Sequence, residues 1–140
     1  MRMAGPLSVG AMAVGALLLV ACGSDQPHAF AARNKLPGCG SLPDRRFDAP
    51  MSAAETEALD CLRTAAKSGG SAEMSYAFLT TEGDPIRYWL RVHGGSVEMF
   101  EHSDDSFGTR GWKYFASCNI AVSELVALPL PELCGEGSKL

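Results

Sequence analysis

The 140-residue sequence is poor in the local patterns that announce an activity. It holds no G-x-S-x-G, no H-E-x-x-H, no phosphate-binding glycine loop and no dinucleotide fingerprint. The short signatures of hydrolase, zinc-protease and nucleotide chemistry are therefore missing, although distant residues can still assemble a site. No two cysteines are spaced C-x-x-C, which argues against a zinc knuckle or a thioredoxin-like redox site. Positive charge is scarce, with 12 Lys and Arg against 16 Asp and Glu and a net charge of −4. Nucleic acid and anionic lipid surfaces both need clustered cations, so neither is an expected partner. The acidic residues also lack the regular spacing of an EF-hand loop, and neither a metal nor a cofactor is expected. Internal repeats and charge blocks are absent.

What is present first is an export signal. Arg2 supplies a positive start, and Ala11 to Ala21 forms an apolar run too short for a comfortable transmembrane helix. The run ends in Leu19-Val20-Ala21-Cys22, followed by polar Gly23-Ser24-Asp25-Gln26. This tetrad resembles the lipobox of bacterial lipoproteins. The resemblance implies a signal peptide over 1–21 and a lipid on Cys22 that holds the chain at the extracytoplasmic face of the cell membrane. Two or more acyl chains anchor persistently, at about 0.8 kcal/mol per buried methylene. The rival is an ordinary cleavable signal that happens to contain a cysteine.

Residues 22–38 are small and polar without apolar periodicity, and read as a flexible tether behind Cys22. One domain is expected over 39–134, followed by a tail over 135–140. Ser52-Ala53-Ala54-Glu55 matches a capping box, and Ala54, Ala58, Leu59, Leu62, Ala65 and Ala66 follow at helical spacing up to Gly69-Gly70. A helix over about Ala53 to Lys67 is predicted. Beyond it the apolar period becomes two, in Met74–Phe78 and Ile86–Val92, and shorter strands are expected around Val97–His102 and Trp112–Cys118. Short turn-rich links between such strands imply antiparallel hairpins. In the segment Val126–Leu133, Pro129 and Pro131 allow an outer-edge strand or a coil. The expected fold is α+β: an N-terminal helix packed on a four- to five-stranded antiparallel meander, braced by two disulfides.

At Thr80-Thr81-Glu82-Gly83-Asp84-Pro85-Ile86 the chain resembles a family of small, uncharacterised bacterial lipoproteins that share a Thr-x-Glu-Gly-Asp-Pro-Ile turn. The likeness extends over roughly Ala58 to Cys134 and includes Asp104-Asp105-Ser106-Phe107-Gly108. It implies fold and location but no activity. With Cys22 taken by lipid, Cys39, Cys61, Cys118 and Cys134 form an even set suited to two bridges in an exported protein. The resemblance implies that Cys118 and Cys134 are the shared pair and bridge each other. Cys39 precedes the helix by a short Pro-containing segment and is expected to fold back onto Cys61. The rival set is Cys61–Cys118 with Cys39–Cys134.

Five residues stand out as candidate binding groups. Trp89 lies between Arg87 and Arg91 in the polar set of its strand, a composition typical of an interaction hot spot; alternatively, the arginine stems cover the indole. Glu82 and Asp84 sit on a turn and either bind a basic group or simply brace the turn. Glu98 and His102 share strand parity while Glu101 has the other, so those acids cannot all converge on a metal. His93 stands beside Gly94-Gly95 without an adjacent nucleophile. The expected function is a membrane-anchored extracytoplasmic binding module for a protein or small-molecule ligand, not an enzyme. The alternative is a secreted-type enzyme inhibitor presenting the Glu82–Pro85 turn, and a small hydrolase ranks below both.

Overall fold

The computed structural model describes residues 26–140, so the expected signal peptide and Cys22 lie outside the described residues. In chain order the elements are α1 (His28–Ala31), β1 (Gly38–Arg46), α2 (Ala53–Lys67), β2 (Ala72–Leu79), β3 (Pro85–His93), β4 (Ser96–Ser103), β5 (Gly111–Phe115) and β6 (Ser138–Lys139). The helix α2 starts where its sequence predicts. Ser52 Oγ accepts from Glu55 N at 3.2 Å, and Glu55 Oε2 accepts from Ser52 N at 2.6 Å. Two amides left without helical partners are thereby satisfied. Burial alone would raise the Glu55 carboxyl. The Ser52 hydrogen bonds, with the Arg45 guanidinium 2.9 Å away, outweigh it and hold the group below its ordinary value.

Strands β2 to β5 form the antiparallel meander that the alternation implied. Gly94 and Gly95 make the β3–β4 turn with φ of 56° and 78°, a two-residue reversal that side-chain-bearing residues rarely adopt. One face of the meander buries Met74, Tyr76, Leu90 and Met99 against Leu59 and Leu62 of α2. The long loop after β5 closes the same layer, where Tyr76 donates its hydroxyl proton to Pro129 O at 2.7 Å. Both sequential disulfides are formed, Cys39–Cys61 and Cys118–Cys134. Residues 119–133 loop out and return to bring Cα118 and Cα134 within 3.9 Å, with Asn119 N donating to Leu133 O. No strand forms across Val126–Leu133, which holds coil and a 3₁₀ turn, Pro131–Leu133.

The architecture departs from the expected one in three places. The sheet has six strands and is mixed, because β1 joins its edge parallel to β2. The helix α2 is consequently not N-terminal. Alternation cannot reveal β1: Gly-Cys-Gly-Ser-Leu-Pro-Asp-Arg-Arg has no period of two, its pairing shifts register twice, and Pro43 suits only an edge. Second, β5 ends at Phe115 and not at Cys118. Third, both expected flanks carry structure. Ser138–Lys139 of the tail pairs with β5, and part of the expected tether forms α1 and packs on the sheet.

Candidate functional site

The face of the sheet turned away from α2 collects the odd-numbered residues of β2 and β3 and the even-numbered ones of β4 and β5. Pairing aligns them in rows: Ser75, Trp89, Phe100 and Tyr114 in one, Glu73, Arg91 and Glu98 in the next. Across this face lies a strap, residues 27–37. Its plug is Phe30, only 3% exposed, whose ring stands 4.6 Å from Trp89, 5.2 Å from Phe100 and 4.5 Å from Trp112. Trp89 and Trp112 stack on each other at 5.2 Å. Packing of this kind adds about 0.5–1.5 kcal/mol per aromatic pair beyond area burial.

Beside the plug runs a network of charges. Arg91, 4% exposed, is paired through Nη1 with Glu98, and its Nε lies 2.7 Å from Glu73 Oε2, off the line of a hydrogen bond. Its Nη2 donates to Asn34 O of the strap. Arg33 reaches Glu73 through two bonds of 3.1 and 3.2 Å, donates to Phe30 O, and lays its guanidinium 3.7 Å from the Phe30 ring centroid. Tyr114 donates its hydroxyl proton to Glu98. Burial, the Glu98 hydrogen bond and the Glu98 charge push the Tyr114 phenol up to about 12. Ion pairs taken out of water need such partners on every side, because removing one leaves a stranded charge.

A recess of about 590 Å³ opens where strap and sheet diverge, lined by Arg33, Arg91, His93, Glu98, Phe100 and Tyr114. Its size falls within the range of small-molecule sites, roughly 300–1,000 Å³. His93 Nε2 lies 3.6 Å from Glu98 Oε1, too far for a hydrogen bond that would orient the imidazole. On the opposite layer Leu125, Val126, Leu128 and Leu130 line an open groove of about 600 Å³ that has few polar groups. Convergent, fixed polar groups distinguish the strap-side recess. No family model, curated protein or solved structure matches the chain. Chemistry at this recess therefore has to be read from its own atoms: guanidinium donors, a carboxylate acceptor and an aromatic floor.

The residues singled out from sequence are dispersed by the fold. Trp89 is half-buried beneath Phe30 instead of standing free, since the apolar face left over by α2 is covered by the strap. Arg91 is buried in the ion network and does not flank an exposed indole. Arg87 turns toward β1, with Nη2 3.5 Å from Asp44 Oδ2. Glu82 is exposed, and Asp84 accepts from Ser106 N at 2.7 Å; the Ser106 side chain and then this amide hold its carboxyl below the usual range. Phe30, Arg33 and Glu73 were not anticipated. Strand parity places Glu73, Arg91 and Glu98 on one face, but only the register makes them neighbours. Among the described residues, no group of three or more His, Cys, Asp or Glu is arranged to hold a metal ion, and no helix is long and apolar enough to cross a membrane.

Proposed function

We propose that this chain is a membrane-anchored extracytoplasmic binding module that takes a small polar ligand in the recess between strap and sheet. The supporting observation is Arg91, a buried guanidinium held by Glu73, Glu98 and the strap carbonyl of Asn34 at the wall of that recess. A preorganised donor of this kind loses little freedom when it meets an oxygen acceptor. His93 adds a second polar group at the exposed rim, while Phe100 and Tyr114 offer ring faces for an apolar flank. The ligand that suits this set carries both an acceptor and a flat or ring-shaped apolar side.

The lipobox resemblance at Cys22 supplies the address, and the docked strap shortens the tether. Only four residues lie between Cys22 and Pro27, a reach of at most about 18 Å when fully extended. The strap face then lies close to the bilayer. Cys22→Ser is expected to release the chain from the membrane fraction or leave an uncleaved precursor; a processed variant retained in membranes would contradict the anchor. For the recess, thermal denaturation of the purified chain against sugars, amino acids and small carboxylates is the direct test. Compounds that raise the melting temperature of the wild type should lose that effect in His93→Ala and Tyr114→Ala. Equal shifts in all three proteins would move the ligand elsewhere.

A further inference from the structure

The two sequence motifs that the recess does not use meet at the opposite end of the strands. Thr80–Pro85 leads into β3, and Asp104–Arg110 links β4 to β5. Asp84 Oδ2 accepts from Ser106 N at 2.7 Å, and Asp104 N donates to Pro85 O at 3.1 Å, so the loops are fastened to each other. Each is also braced internally. Thr80 Oγ1 accepts from Asp84 N at 3.1 Å, and Asp105 Oδ1 accepts from Phe107 N at 2.9 Å. A Cβ at Gly108 would meet the Asp105 carboxylate, which would have to shift from its place.

This bracing presents one side chain. Phe107 is 83% exposed at the tip of the double loop. An aromatic ring left in water on a mobile loop gains little from a partner, because ordering the loop offsets the burial. On a braced loop the ring's position is set beforehand, and that loss is reduced. A lone protruding ring fits a concave receptor, in the way that aromatic anchors fill pockets at interface centres. Charge narrows the receptor further. The two loops hold four carboxylates, Glu82, Asp84, Asp104 and Asp105, against one guanidinium, Arg110. Such a rim repels an anionic bilayer and attracts a pocket bordered by cations.

We propose that Phe107 is the anchor by which this chain docks into an apolar pocket of a protein partner with a basic rim, which Glu82 and Asp104 face. The surface is independent of the strap-side recess. It is tested by placing the photo-crosslinker p-benzoylphenylalanine at position 107 of the full chain in cells. The matched control carries it at position 126, where Val126 is also 83% exposed. A discrete protein adduct is expected from 107 and not from 126, with the crosslinked residue in an apolar pocket flanked by Lys or Arg. Charge reversal by Glu82→Lys with Asp104→Lys leaves the Asp84 and Asp105 braces intact and should lower the adduct about tenfold. No adduct, lipid adducts alone, or an adduct indifferent to charge reversal would overturn the proposal. Phe107→Ala should leave the melting temperature unchanged, and a clear drop would make the ring structural instead. Loss of binding to phosphatidylcholine vesicles on Phe107→Ala would assign the ring to a membrane and likewise overturn it.

Discussion

On one face of the sheet a fifteen-residue helix and a disulfide-closed loop cover a continuous apolar layer of Leu59, Leu62, Met74, Tyr76, Leu90 and Met99. On the other, a four-residue turn covers the face with one ring, Phe30, and a set of ion pairs. The first closure draws on area removed from water, which is large and non-directional. The second depends on a few directed contacts, each easily lost by a single change. The recess between strap and sheet lies on this second side, bordered by Arg33 and Arg91.

Leu62→Ala is expected to produce the largest effect, a loss of about 4 kcal/mol of global stability from transfer and cavity together. Denaturant titration measures it. Phe30→Ala should lose about 2 kcal/mol, the burial worth of one ring on an otherwise intact fold. Hydrogen exchange should then quicken over 27–37 while α2 stays protected. Equal losses in the two variants, or exchange spreading into α2, would make the strap part of the core and erase the contrast. Trp89→Ala belongs with Phe30→Ala, because the indole supports the plug.

The smallest effect concerns pH. Glu55 titrates below its ordinary value of 4.5 in the folded chain, so its contribution is full at neutral pH. It is lost as pH falls from about 4.5 through the lowered folded value. Glu55→Gln is expected to lose about 1 kcal/mol at pH 7 and to flatten the acid limb of the stability curve. A variant whose acid limb matches that of the wild type would remove the capping carboxylate from the account. On the strap face the dependence lies at the alkaline end. Tyr114 keeps its proton up to about 12, so its hydrogen bond to Glu98 contributes fully below the ordinary phenol value of 10.0 and is lost between there and 12. Tyr114→Phe should remove that part of the alkaline transition, followed by Trp fluorescence of Trp89 and Trp112.

The strong periodicities of this chain were legible because they are local. The capping box at Ser52 sets the start of α2, and alternation sets β2 and β3 and their faces. The candidate recess was not legible. Phe30 is one aromatic in a polar stretch and has no period, and β1 is defined only by its pairing with β2. Trp89 was assigned to the correct face, but its exposure depended on whether a distant segment lay over it.

Sequence alone therefore determined the elements whose signal lies within a few residues: the helix, the antiparallel meander and the sidedness of β2 and β3. Tertiary structure alone decided the parallel edge strand, the strap and the grouping of Arg33, Glu73, Arg91, Glu98 and Tyr114. It also tied Asp84 to Ser106 and so set Phe107 at the tip of a braced loop. The physical reason is range. Capping and alternation act between neighbours along the chain, whereas ion pairs and ring contacts are specified by register between segments tens of residues apart.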